Sequence, residues 1–192
     1  KEEYQPRNIN SIQITEFKQK NTSIRAITAF SKSKLLFAGS KGNIGLTILP
    51  GRKDYSRSVD EDLKQLKAYG VNTVIPLITD DEFGHFGVSD LLEKYNDYGF
   101  KIHRLPIMDQ LVCSDDEMTE MVNYLDKAMH NNEKVLLHCV GGLGRSGLVA
   151  ASYLKFKGLV ADEAIQAVRK VRGPRTVESK IQEEFVKKIS FK

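Results

Sequence analysis

Val135-Leu136-Leu137-His138-Cys139-Val140-Gly141-Gly142-Leu143-Gly144-Arg145-Ser146 is the stretch whose reading decides the fold of this chain. A short apolar run, a glycine-rich loop and a helix start follow one another, with Cys139 and Arg145 bracketing Val140, Gly141, Gly142, Leu143 and Gly144. Backbone N–H groups of such a loop, with the positive end of a helix behind them, form a cradle for a dianion. Arg145 adds a planar fork for two oxygens of the same anion. The same positive field favours the anionic sulfur of Cys139 over the thiol. The stretch therefore reads as an anion cup with a nucleophile at its floor.

Working outward, apolar runs alternate with helical periodicity. Leu35-Leu36-Phe37-Ala38 reads as a short strand, and the glycines and basic residues of 39–57 as a long loop. Ser58-x-x-Glu61 opens a helix bearing Leu63, Leu66 and Tyr69 that stops at Gly70, and 71–75 is a strand ended by Pro76. A helix over 89–98, closed by Gly99, precedes a strand over 100–105. Ser114-x-x-Glu117 opens the next helix, where Met118, Met121, Val122, Leu125, Ala128 and Met129 share one face and read as core. After the cup comes a helix with Leu148, Val149, Ala151 and Leu154, then one over 162–171 ended by Gly173-Pro174. A last helix carries Ile181, Phe185 and Ile189. Strands separated by helices need crossover connections, so the expected class is α/β, a central mostly parallel sheet flanked by helices. In such sheets ligands sit at the carboxyl ends of the strands, where His138 and Cys139 fall.

Composition narrows the function. No apolar run in the chain approaches the ~18–20 residues of a membrane-spanning helix. The net charge of +4 suits attraction to phosphorylated substrates, and no basic run with interleaved aromatics argues for nucleic acid. Two cysteines make no disulfide framework, which favours a reducing, cytoplasmic setting. The four histidines and two cysteines show no paired spacing, so neither a metal nor another cofactor is expected.

The run His138-Cys139-x5-Arg145-Ser146 resembles the signature of cysteine-dependent protein tyrosine and dual-specificity phosphatases. With Leu49-Pro50-Gly51-Arg52-Lys53-Asp54 and Pro106-Ile107-Met108-Asp109, it looks most like the cyclin-dependent-kinase-associated phosphatase branch. The resemblance spans about 35–190, implying a dual-specificity-phosphatase-like catalytic domain over 35–192 behind an N-terminal extension over 1–34. It further implies a phosphomonoester hydrolase on phosphotyrosine, either alone or together with phosphoserine and phosphothreonine, in proteins. A phosphorylated protein or peptide would be the partner, and the chain is expected to act as a monomer.

Carried onto this sequence, the resemblance makes Cys139 the nucleophile, Arg145 the oxyanion fork and Ser146 a hydrogen-bond donor to the sulfur. His138 supports the loop from behind rather than acting as a base. Asp109 stands where the family places its general acid, with the 108–114 loop as its carrier. Asp115 and Asp116 are rivals whose position in a first helical turn has an ordinary capping explanation. Gln182 matches a water-orienting glutamine, with a solvated helix surface as the competing reading. Arg172, Arg175 and Thr176, and Lys53, Tyr55 and Arg57, are candidates to flank the substrate. Cys113 reads either as a redox partner for Cys139 or as a structural thiol. The cup has no lysine between cysteine and arginine, unlike phosphoinositide phosphatases, and 79–87 has no counterpart in the resemblance. Competing functions are a phosphatase of small phosphorylated metabolites such as inositol phosphates, a non-catalytic phosphoprotein-binding module, and another thiol chemistry such as arsenate reduction or sulfur transfer.

Overall fold

Residues 43–191 are described by the computed structural model of the chain; the expected extension over 1–34 and the strand over 35–38 lie outside them. Among the described residues, four strands form one sheet in the order β1-β4-β2-β3, all parallel. They are β1 (Asn43–Thr47), β2 (Thr73–Pro76), β3 (Lys101–Ile102) and β4 (Lys134–His138). All residues of β2, and Val135 to His138 of β4, are buried. Successive strand residues point to opposite faces, so the sheet is covered on both, as a parallel sheet requires.

The helices are α1 (Val59–Ala68), α2 (Asp80–His85), α3 (Leu91–Asp97), α4 (Asp115–His130), α5 (Gly144–Phe156), α6 (Ala161–Arg172) and α7 (Lys180–Lys188). Ser114 accepts from the Glu117 N–H while Glu117 accepts from the Ser114 N–H, so the expected box starts α4. All six predicted core residues of that helix are buried. α5 is the hub: it packs against α4, α6, α7, β1 and β4 and is buried from Gly144 to Leu154. Gly147 permits this closeness, since a Cβ there would lie 2.4 Å from the Thr176 methyl.

Three expectations need correction. Residues 39–57 are not one loop: they contain β1, whose Ile44 and Leu46 enter the core, and a 3₁₀ turn over Lys53–Tyr55. Glycine at 45 interrupts the apolar pattern of a strand that is held both by pairing with β4 and by burial of Ile44 and Leu46. The third strand keeps only Lys101–Ile102 of the expected 100–105. In α7 the inward face is set by Gln182 and Val186, and Ile181 is half exposed. Register then positions the site: Thr47, His138 and Pro76 are level across three strands, so Cys139 leaves the sheet at its carboxyl edge.

Candidate active site

The loop after β4 is held from outside by its carbonyls. The Val140 carbonyl accepts from the Leu49 N–H and from Arg52 Nη1, both at 3.0 Å. Arg172 donates to the carbonyls of Gly142 (3.0 Å) and Gly141 (3.1 Å). The Leu143 carbonyl accepts from Gly147 and Val177. In a planar trans peptide the following N–H points opposite to its carbonyl. Four bound carbonyls therefore turn the N–H groups of Gly141, Gly142, Leu143 and Gly144 to the inner side. The Gly142 N–H is seen there, 3.2 Å from the Cys139 sulfur. Gly142 has φ +66°, and a Cβ on it would lie 2.4 Å from the Thr47 carbonyl oxygen, so this turn admits only glycine. Val177, a β-branched residue, is held at φ +58° where its N–H meets the Leu143 carbonyl. That is local strain maintained by the surrounding packing.

Arg145 is fully buried at the start of α5. Its Nη1 donates to Glu82 Oε2 (2.6 Å) and to the Ile107 carbonyl (2.9 Å), and its Nη2 donates to Glu82 Oε1 (2.8 Å). Burial disfavours charge on both partners, and their mutual bonds outweigh it: the Glu82 carboxyl is held low and the guanidinium high. Glu82 also accepts from the Thr79 N–H, so one carboxylate both caps α2 and aims the arginine. Arg145 Nε is buried without a hydrogen-bond partner among the described residues. Nε is the one guanidinium nitrogen left without a partner there, beside the Nη2 that faces Asp109.

Asp109 Oδ1 lies 3.2 Å from Arg145 Nη2, with its side chain 65% exposed. The structure thus brings Asp109 to the arginine, while Asp115 and Asp116 stay in the first turn of α4. The loop that carries Asp109 is tied to α7. Ser179 Oγ donates to the Gln110 carbonyl (2.8 Å) and Gln182 Nε2 to the Leu111 carbonyl (3.1 Å). Gln182 is fully buried and its Oε1 accepts from the N–H groups of Glu178 and Ser179, so the solvated-surface reading fails. It packs against Gly144, where a Cβ would meet its amide at 3.2–3.3 Å.

His138 is fully buried, with Nε2 3.0 Å from the Tyr95 hydroxyl of α3 and Nδ1 3.4 Å from the Cys139 carbonyl. Burial pushes its pKa down to about 4. The ring is neutral at pH 7, a support and not a base. Burial also keeps the Tyr95 phenol protonated, matching a donor role toward Nε2.

One further expectation fails, and the flanking candidates divide. The Ser146 hydroxyl is fully buried and makes no hydrogen bond among the described residues, so its expected bond to the sulfur is not formed. Of the flanking candidates, Arg172 holds the cup, Thr176 is buried on the Gly173 carbonyl, and Arg57 is buried against Asp62. Lys53, Tyr55 and Arg175 alone are exposed. Cys113 is half-buried and pushed up to about 12 by burial, which keeps it a thiol. Glu82, Arg52 and Tyr95 went unassigned by sequence reasoning. The pattern Thr79-x-x-Glu82, a third capping box, was the available signal for the first.

A family model described as cyclin-dependent kinase inhibitor 3 (CDKN3) matches residues 5–165. Cyclin-dependent kinase inhibitor 3 of Mus musculus is 35% identical over 139 residues, 71% of this chain and 66% of that protein. Its Homo sapiens counterpart is 34% identical over 140 residues, with the same coverage. The chain thus spans just under two thirds of the length of these relatives. Among solved structures it is similar to a kinase-associated phosphatase whose catalytic-site cysteine is replaced by serine. That match has a TM-score of 0.73 and 32% identity, over 75% of this chain and 83% of the other. Tk-PTP in its active form matches with a TM-score of 0.65 and 27% identity, over 80% and 97%. A cup on a cysteine, an arginine fork and a parallel sheet with this register lead to one placement: the chain belongs to the cyclin-dependent kinase inhibitor 3 family, with the fold of the cysteine-dependent protein tyrosine and dual-specificity phosphatases.

Proposed function

We propose that this chain is a phosphomonoester hydrolase that removes phosphate from phosphotyrosine, and from phosphoserine and phosphothreonine, in proteins. The observation that carries the reading is the Cys139 sulfur beneath the Gly142 N–H, in a loop whose carbonyls are all bound outward, with Arg145 closing one side. In the first step the sulfur attacks phosphorus. An S–P bond forms as the P–O bond to the side chain breaks, and Asp109 gives its proton to the departing oxygen. The loop N–H groups of Val140 to Gly144 and the Nε–Nη2 edge of Arg145 hold the equatorial oxygens, where charge is spread through a phosphoryl transfer. In the second step the Asp109 carboxylate takes a proton from water as that water attacks phosphorus. The S–P bond breaks and Cys139 is regenerated. Gln182 sets the position of the Asp109 loop and stands beside the cup where it can orient that water.

The reading draws support from relatives that are named phosphatases and from all three reacting groups converging on one cup. Cys139→Ser should abolish turnover of a generic aryl phosphate while leaving phosphopeptide binding intact, a loss of at least ~10³-fold. Turnover above a tenth of wild type would remove Cys139 from the nucleophile role. Tight phosphopeptide binding by a wild-type chain without turnover would leave a binding module. A panel of phosphopeptides and inositol phosphates run beside that variant separates protein from metabolite substrates.

A further inference from the structure

Arg52 has no part in the steps above, yet it is buried against the cup. Its Nη1 donates to the carbonyl of Val140, the residue directly after Cys139. The opposite edge of the guanidinium meets Asp54, with Nε to Oδ1 at 2.8 Å and Nη2 to Oδ2 at 2.5 Å. The Tyr55 and Phe86 rings lie 4.1 and 5.0 Å from its central carbon. The side chain is thus aimed by a carboxylate and covered by two aromatic rings.

The segment that presents it is fastened at both ends. The Gly51 N–H and Arg57 Nε both donate to Asp62 Oδ2 on α1, at 2.7 and 2.8 Å, and the Lys53 N–H donates to the Phe86 carbonyl. Gly51 has φ +72°, and a Cβ there would lie 2.1 Å from a Val59 methyl carbon, which fixes the closeness of this segment to α1. Arg52 is therefore delivered to Val140 by a rigid arm.

We propose that Arg52 is a positioning residue for the anion cup. By holding the Val140 carbonyl outward it keeps the Gly141 N–H, on the other side of the same planar peptide, facing the phosphate. The Asp54 carboxylate pairs with the far edge of the guanidinium and so aims Nη1 at this carbonyl. Arg172 makes the equivalent contacts to the next two carbonyls. The two arginines grip three successive peptide groups between them. The proposal rests on the phosphatase reading of the cup.

The test compares wild type with Arg52→Ala, Arg52→Met and Arg52→Lys for aryl phosphate hydrolysis, inorganic phosphate binding by calorimetry, and Tm. Hydrogen bonds from charged groups are worth enough to predict a tenfold to hundredfold fall in kcat/KM for Ala and Met. Phosphate binding should weaken several-fold, and Met, which keeps the stem between the rings, should hold Tm near wild type. Millimolar guanidinium chloride should restore part of the Arg52→Ala activity, whereas ammonium chloride at the same concentration should not. Lysine should fail to substitute, because a point ammonium cannot meet Asp54 and Val140 at once. Arg52→Met within twofold of wild type in both assays, full activity of Arg52→Lys, or absence of guanidinium rescue would each overturn the proposal. A wild type without turnover defeats the phosphatase reading, yet the calorimetric arm still tests Arg52, so the two failures are distinguishable.

Discussion

The cup and the loop carrying Asp109 meet on the same arginine but are held in opposite ways. Around the cup, Cys139, His138 and Arg145 are all buried, and four successive carbonyls are bound by protein donors. Across from it, Asp109 and Met108 are each 65% exposed, and the loop is tied down through backbone carbonyls of its neighbours to α7. The difference follows from what each part must do. Charge stabilisation works best from groups that need no reorganisation. A proton donor must meet a leaving group and later a water, so solvent access suits it.

That contrast breaks most readily at Asp109. Asp109→Asn should slow phosphate esters with poor leaving groups by about 10²–10³-fold and activated aryl phosphates by only a few-fold. The measurement is kcat/KM across a leaving-group series. Equal losses at both ends would mean that Asp109 serves the cup as a fixed charge, and the two regions would no longer differ in role.

The buried side of the comparison has its own signature in pH. The unfolded chain takes up a proton on His138 near the ordinary value of about 6.5, the folded chain only near about 4. Between those values the unfolded state binds more protons, so stability is complete above about pH 6.5 and is lost as pH falls toward 4. The loss from this ring alone between pH 7 and 4.5 is ~2 kcal/mol, readable as the difference in urea-unfolding free energy at those two values. A flat profile over that window would show that the ring behind Cys139 is not held neutral.

The same contrast explains which parts of the molecule are legible in its sequence. Cys139, the glycines and Arg145 are contiguous, and their chemistry depends on local backbone geometry, so the cup and the parallel sheet behind it were visible in the chain. The methionine face of α4 was visible for a similar reason, because helical period reports burial. Glu82 lies 63 residues from Arg145 in sequence, and Arg52 lies 88 from Val140. Such pairings are made by topology, and no local pattern announces them. Gln182 was ambiguous because the pattern Ser179-x-x-Gln182 marks a helix start, and a capping residue can lie at the surface as readily as in the core. The Ser146 bond was expected from the resemblance alone, and the packed start of α5 leaves the hydroxyl without it.

Glu82→Gln sharpens the comparison from the arginine's side. Glutamine keeps an oxygen able to accept from the Thr79 N–H and so preserves the cap of α2, while the charge that holds the Arg145 fork is removed. Activity should fall by about tenfold to a hundredfold, chiefly through weaker phosphate binding and a higher KM. Wild-type KM would show that the Ile107 carbonyl suffices to aim Arg145.

The smallest effect tests the tie between α7 and the acid loop. Gln182→Ala removes the donor to the Leu111 carbonyl and the acceptor for two N–H groups at the start of α7, leaving a small gap beside Gly144. Ser179 still holds the Gln110 carbonyl, so the loop keeps one of its two ties. If Gln182 acts by setting Asp109, the loss should be about three- to tenfold with poor leaving groups and nearly absent with activated ones. If it acts on the attacking water instead, the second step slows, and a burst of leaving group equal to the enzyme concentration should appear with activated substrates. The two outcomes separate a residue of the exposed proton donor from one of the buried cup, since Gln182 touches the carriers of both.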